Sequence, residues 1–553
     1  MENNIFLSIL MLITIAVSFT QFSNPTVSSQ IYGEKFSVER AMQHLKVIAK
    51  EPHPVGSEAN KKVKNYIVKY FESLNLPVEV QMKAIEDIRK DMEELTTDAE
   101  YLENIIVKIE GTSRDNNAVL FLAHYDSTTE TPGAGDDGYG VVTLMETARI
   151  MSQLPPPRNT LYFVFTDGEE EGVLGATALQ DRKDIFDNTH IMINFEARGN
   201  TEVPILFETT NHDAQLVKEF SHTVSHPVAY SFASEMYKKM PNYTDFTELK
   251  DIPKLGYNIA NIGGVETYHA KIDTFENSDR NTIRHFGAYA VPLAEKYTML
   301  TAAEFEELEK NQKNAIYFPL MKNVLVVYSD EVVLPLITLL ISLTAIATII
   351  LIRKKVIKIK TFALAFGSML AGFIVVAAVL YGLVKILAIV FDGVIDDEGL
   401  IVLGDYDYIA FKVLMLITLV LSAFISRWIC KHNSALHFII STQVIWILLS
   451  IITNLTFKGI SYLFVIPALL AVFLLNLALL KPQVMLSNYR YIVIASWTIV
   501  TTILLAPVIY MIYIAQTLKF APIIGIFVAL LIMPIIAAIQ YRSANVLSIF
   551  NKS

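Results

Sequence analysis

Acidic and imidazole side chains gather at a few short, ordered points of this sequence. His124-Tyr125-Asp126 follows the apolar run Ala118–Ala123, and Thr166-Asp167-Gly168-Glu169-Glu170-Glu171-Gly172 follows Leu161–Phe165. Glu196 closes the run Ile191–Phe195. Between the first two lies a glycine-rich acidic turn, Gly133-Ala134-Gly135-Asp136-Asp137-Gly138, and further along Tyr268-His269 precedes Asp273. Carboxylates offer hard oxygen donors and neutral imidazoles offer nitrogen. Together they suit zinc in a catalytic rather than a structural role. Singly, each piece has a plainer reading. A His-x-Asp pair is usually a core or surface hydrogen bond, an acidic run a solvated helix start, and a glycine-acid turn only a turn. Their ordered recurrence at the ends of successive apolar runs favours a site.

Those runs must position the acids. AVLFLA, LYFVF and IMINF read as strands buried on both faces, and Val141–Leu154 between them has helical periodicity. Strands alternating with helices predict an α/β fold, a doubly wound, mostly parallel sheet with helices on both faces. In such sheets ligands bind at the carboxyl ends of the strands. Upstream, Ser37 stands as an N-cap before Val38, Ala41, Leu45 and Ile48, one apolar helical face. Pro52-His53-Pro54-Val55-Gly56-Ser57 breaks that helix, and a second follows with Val63, Ile67, Tyr70, Phe71 and Leu74 on one side.

The chain as a whole is split in character. It has 553 residues, more than one core usually serves. Hydrophobic residues make up 53% and mean hydropathy is +0.41. Residues 30–310 nevertheless read as a charged globular sequence, and the apolar excess lies almost wholly after Val332. A net charge of −10 argues against nucleic-acid binding, which needs a basic face. The single cysteine, Cys430, excludes an internal disulfide framework and a cysteine-based zinc site.

Seven apolar segments, near 332–352, 361–390, 408–428, 436–453, 459–480, 491–514 and 520–540, approach the length of a membrane-spanning helix. The earlier run Ile5–Thr20 has no basic residue before it and no clear cleavage site, so it reads as an uncleaved signal-anchor. The expected division is an anchor over 1–29, a soluble domain over 30–310, a linker over 311–331, and an all-α multi-pass membrane domain over 332–553. The loop Arg353–Lys360 is strongly basic and predicted cytoplasmic, whereas the loop with Asp392, Asp396, Asp397, Glu398, Asp405 and Asp407 is predicted outside. Arg427 and Lys431, Lys481 and Arg490, and Arg542 and Lys552 then fall inside, with Lys458 and Lys519 outside. That alternation sets residues 30–310 on the non-cytoplasmic side of a lipid bilayer. Lys385, near the outer end of its helix, is expected to snorkel. The membrane half lacks an obvious line of buried acids, which weakens a transporter reading.

The sequence resembles the co-catalytic di-zinc aminopeptidase family, and within it the multi-pass vacuolar membrane protease and endoplasmic reticulum metallopeptidase type. The resemblance covers about residues 36–300. It rests on Ile48-Ala49-x-x-Pro52-His53-Pro54-Val55-Gly56-Ser57, His124-x-Asp126, Gly133-Ala134-Gly135-Asp136-Asp137 and Glu169-Glu170-x-Gly172-x-x-Gly175. Asn194-Phe195-Glu196-Ala197-Arg198-Gly199 and Tyr268-His269-x-x-x-Asp273-Thr274 complete it. The resemblance implies a zinc exopeptidase fold and two Zn2+ ions per chain. One would be held by His124 and Glu196, the other by Glu170 and His269, with Asp136 bridging. Asp126 would fix the tautomer of His124. Glu169 would be the general base, taking a proton from water and returning it to the leaving amine. Tyr268 would hydrogen-bond the oxyanion.

Glu196 stands where the soluble aminopeptidases usually carry Asp; the membrane branch resembles this sequence in using Glu. Gly172 and Gly175 match the family pattern only with Glu169 as base and Glu170 as ligand. The family places a substrate-pocket loop at Pro241–Phe246, where Asp245 either binds a substrate amino group or caps a turn. Arg198 either binds a carboxylate or pairs with a neighbouring acid, and His53 is expected to cap a turn. The implied activity is that of a membrane-bound metallopeptidase acting on peptide substrates as an exopeptidase, an aminopeptidase above all. Glutaminyl cyclase-like chemistry, normally with one zinc, and a non-enzymatic membrane scaffold are the competing readings. Retention of all five ligand positions argues strongly against the scaffold and less strongly against the cyclase.

Overall fold

The computed structural model describes residues 2–24, 36–88, 97, 99–240, 242–310, 313–355, 357–391, 393–395, 401–480 and 489–540. The chain divides into two compact units, Gln21–Ser329 and Met1–Thr20 with Asp330–Ser553.

In the soluble unit β1 (Val78–Ala84), β2 (Tyr101–Ile109), β3 (Ala118–His124), β4 (Thr160–Thr166), β5 (Thr189–Ala197), β6 (Thr201–Thr209) and β7 (Leu255–Gly263) form one sheet. The strand order is β1-β2-β4-β3-β5-β7-β6. The centre, β4-β3-β5-β7, is parallel and holds the three apolar runs read as strands. At one edge β1 and β2 run antiparallel, and at the other β6 does, so the sheet is mixed around a parallel core.

Alternation along β3 serves two cores. Val119, Phe121 and Ala123 face a core shared with the helices Val38–Ile48, Gly138–Gln153 and Arg280–Tyr297. Leu120 and Leu122 face a second, with Leu179, Phe186, Phe246 and Leu249. The side chain of Ser37 accepts from the N–H of Arg40 at the first helix start, and Ser57 does the same from Asn60 for Glu58–Ser73.

The stretch expected to be a linker over 311–331 carries a hairpin, β8 (Ala315–Met321) and β9 (Val324–Ser329). Ala315, Ile316, Tyr317 and Phe318 are buried, and the N–H of Ala315 donates to Asp213 at 2.7 Å. An apolar strand with that much surface to cover packs onto the domain instead of spanning open space. Residues 311 and 312, and the expected domain start near residue 30, lie outside the described residues. Gln21 and Phe22 also belong to this unit: the Tyr230 hydroxyl donates to Gln21, and the Phe22 and Tyr230 rings stack at 6.4 Å.

The other unit is helical. Helices Glu2–Phe19, Val333–Arg353, Ile359–Val390, Asp407–His432, Ala435–Thr456, Tyr462–Leu480, Tyr489–Gln516 and Ala521–Gln540 fall on the predicted apolar segments. Among the described residues five spans are long and apolar enough to cross a membrane, and one of them, Tyr491–Gln540, runs through the last two helices. Ile9–Phe22 and Tyr462–Leu477 are shorter apolar helices. Lys458 pairs with Asp330 at 3.0 Å, ahead of the helix Val333–Arg353, and the N–H of Lys358, beyond that helix, donates to His437 at 3.0 Å. Lys385 holds its ammonium 5.8 Å from the Tyr381 ring centroid. Asp392, Asp396, Asp397, Glu398, Lys481, Arg542 and Lys552 lie outside the described residues.

Candidate metal centre

Parallel strands bring their carboxyl ends to one edge, and here those ends carry the acids and histidines. His124 ends β3 in register with Thr166, which ends β4, and Glu196 is the penultimate residue of β5. The turn Gly133–Asp137 leads into the helix Gly138–Gln153, which Asp137 caps by accepting from the N–H of Gly140 at 3.1 Å. Gly135 has no room for a side chain, since a Cβ there would lie 2.6 Å from the Gly199 carbonyl oxygen. Asp273 fixes the same turn by accepting from the N–H groups of Gly135 at 2.8 Å and Asp136 at 3.2 Å.

Asp136 stands at the middle. Its Oδ1 is 3.1 Å from Nε2 of His124 and its Oδ2 is 3.5 Å from Nε2 of His269. Oε2 of Glu196 lies 3.8 Å from the same His124 nitrogen, and Oε2 of Glu170 lies 3.0 Å from that of His269. Asp136 thus lies between two histidine–carboxylate pairs, His124 with Glu196 and His269 with Glu170. His124, Asp136 and Glu170 each offer a ligand atom within 4.8 Å of the others. Nδ1 of His124 faces Asp126 instead, 3.1 Å from its carbonyl oxygen and 3.5 Å from Oδ1, which leaves Nε2 for the centre. The His124 side chain is 1% exposed and that of His269 42%, so solvent reaches the centre from the His269 side.

The electrostatics call for a cation. Burial, reinforced by like-charged neighbours, pushes Glu169 and Glu196 well above the usual carboxylate range. Burial also opposes the charge of Asp136, yet His124 and His269 hold it down to about 2. Oε1 of Glu196 is buried without a hydrogen-bond partner among the described residues. Buried carboxylates this close together are stable as anions only against positive charge. Their donor set, two imidazoles and three carboxylates, fits divalent cations.

Glu169 and Glu170 are held from behind, their N–H groups donating to Oδ1 and Oδ2 of Asp126 at 3.1 and 3.2 Å. Gly172 adopts a φ of +90°, and a Cβ at Gly175 would lie 2.5 Å from Oδ1 of Asn104, so neither glycine of the motif can be replaced freely. Tyr268 stacks on the His269 ring at 3.9 Å, with the Arg198 guanidinium 5.4 Å from its centroid. Asp245 is buried and accepts from the Thr166 hydroxyl through Oδ2, while Oδ1 has no hydrogen-bond partner among the described residues. The helix Asp245–Leu249 is capped by Thr244, so turn capping is not the task of Asp245. Nδ1 of His53 meets the Glu51 carbonyl at 2.9 Å and closes the proline-rich turn. Pro241 lies outside the described residues.

Two supporting acids carried no role in the sequence reading. Asp273 is one, through its hold on the Gly133–Asp137 turn. Asp167 accepts from Asn60 Nδ2 at 2.9 Å and from the Glu103 N–H at 3.0 Å, tying the turn after β4 to a helix and a neighbouring strand. Its one sequence signal is its place at the strand end beside Gly168.

Residues 104–294, which include every one of these ligand candidates, match Peptidase family M28. That matched segment lies within the unit Gln21–Ser329. The chain is similar to the vacuolar membrane protease of Schizosaccharomyces pombe, 28% identical over 257 residues, which cover 45% of this chain and 30% of that protein. The vacuolar membrane protease of Kluyveromyces lactis is 30% identical over 303 residues, 51% of this chain and 33% of that protein. Endoplasmic reticulum metallopeptidase 1 of Mus musculus is 25% identical over 327 residues, 55% of this chain and 35% of that protein. The chain thus spans about a third of the length of the curated relatives it matches.

Proposed function

We propose that the chain is a membrane-bound di-zinc exopeptidase that removes residues from the amino terminus of peptides. The observation that carries this reading is the position of Asp136, with one oxygen toward His124 and the other toward His269. His124 and Glu196 would hold one zinc, Glu170 and His269 the other, and Asp136 would belong to both. Bound there, zinc supplies Lewis acidity that polarises the scissile carbonyl and makes water easier to deprotonate.

The remaining steps belong to the chain. Glu169 takes the proton of the attacking water and passes it to the leaving amine, and its burial favours a group that must bind a proton and release it. Asp126 keeps Nε2 of His124 aimed at the centre. Tyr268 donates its phenol to the oxyanion of the tetrahedral intermediate. Asp245 contributes buried negative charge that favours a substrate ammonium group.

The basic loop Arg353–Lys360, with Arg427 and Lys431, supports a cytoplasmic location for that end of the membrane unit. The ion pair of Lys458 with Asp330 groups two loops at the opposite end and supports the alternation. The soluble unit would then meet extracellular, periplasmic or luminal peptides. The test of the activity is a peptide panel with free, acetylated and amino-terminal glutamine variants. Cleavage of free peptides alone is expected. Equal cleavage of acetylated peptides would reject amino-terminal specificity, and cyclisation of the glutamine peptide without cleavage would point to a cyclase.

A further inference from the structure

Three side chains from two parts of the chain stack beside the metal centre. The guanidinium carbon of Arg198 stands 5.4 Å from the centroid of Tyr268, and the His269 ring stacks on the same tyrosine at 3.9 Å and an interplanar angle of 21°. The supports of the layers differ. Arg198 directly follows β5, where strand alternation puts it on the same side as Glu196 two residues earlier. Its N–H is fastened to the carbonyl of Asn261 on β7 at 2.8 Å. Tyr268 instead follows a single 3-10 turn, Val265–Thr267, and His269 takes a left-handed φ of +51°. The Tyr268 hydroxyl has no hydrogen-bond partner among the described residues, so its ring is oriented through its faces.

We propose that Arg198 is a positioning residue, whose planar cation, presented by the sheet, holds the loop-borne Tyr268 ring against His269 and so aims the phenol at the substrate carbonyl oxygen. This rests on the reading of Tyr268 as the oxyanion donor. A guanidinium is suited to the task because it is flat, permanently charged and stacks on aromatic faces, which the compact ammonium of lysine does less well.

The test combines kinetics with structure on the full chain. Arg198→Met should keep the wild-type metal content and lower kcat about tenfold with KM little changed. Tyr268→Phe should lower kcat by about 10²–10³. In the Tyr268→Phe background, Arg198→Met should cost nothing further, because the guanidinium acts through that hydroxyl. Arg198→Lys should fall between wild type and Arg198→Met, and it carries the same comparison if the methionine variant does not fold. A structure of the arginine variant should show the Tyr268 ring displaced from its stack on His269. A ring that stays in place, losses that multiply in the double variant, or a rise in KM alone would each overturn the proposal, the last by showing that Arg198 binds substrate itself. Wild-type turnover by Tyr268→Phe would instead refute the oxyanion role of Tyr268, and the ring position in the arginine variant would still decide the positioning.

Discussion

Oδ1 of Asp126 accepts the main-chain N–H of Glu169 at 3.1 Å. The same carboxylate takes the N–H of Glu170 on its other oxygen and faces Nδ1 of His124, so one acid aligns the candidate base and a ligand from each half-site. Asp126→Asn keeps the shape but loses the charge and one acceptor. Metal affinity should fall about 10–100-fold, as for other residues that orient ligands, and chelator competition would measure it. Unchanged affinity would remove Asp126 from this role.

In the proposed mechanism Glu169 is the base and Glu170 a metal ligand. Glu169→Gln should retain metal and lose about 10²–10⁴ in kcat, because an amide cannot take the proton. Glu170→Gln should lose metal. The opposite pattern, read by metal analysis beside kinetics, would move the base one residue along.

Asp245 gives the metal-free protein a pH dependence of defined sign. Burial pushes its carboxyl from 3.8 up to about 6, with the Thr166 hydroxyl holding it back in part. The folded chain therefore binds this proton more tightly than the unfolded chain does. The resulting stability is complete below pH 3.8, is lost as pH rises through about 6, and amounts to about 3 kcal/mol. Asp245→Asn should remove that loss, so the variant should gain on wild type between pH 4 and pH 7 in thermal melts of metal-free protein. A constant difference across that range would show that Asp245 is ionised throughout.

Much of this arrangement was legible because parallel strands have a blunt signature. β3, β4 and β5 are short, apolar and buried on both faces, so the polar residues that close them stand out and their shared edge follows from the fold class. The flanks were not legible. β1 is half exposed, and β6 carries Pro204, which is tolerated at a sheet edge but weakens a strand pattern read from sequence. Asp273 and Thr166 escaped because their tasks lie in contacts with the Gly133–Asp137 turn and with Asp245, more than a hundred residues away for the first and 79 for the second. The hairpin Ala315–Ser329 was hidden by its position next to the first long apolar helix of the membrane unit.

Orientation in the membrane has a direct biochemical check. Protease added to intact cells or spheroplasts should clip the soluble unit and spare the loop at Lys354–Lys360. Protection of the soluble unit until the membrane is broken would reverse the assignment.

Metal analysis of the purified full chain, wild type beside Asp136→Ala, decides whether two ions share the carboxylate of Asp136. Two zinc ions per wild-type chain are expected, with both lost in Asp136→Ala, because Oδ1 and Oδ2 face different half-sites. One ion in the fully loaded wild-type protein, or a variant that keeps one ion in place, would contradict a shared two-metal centre.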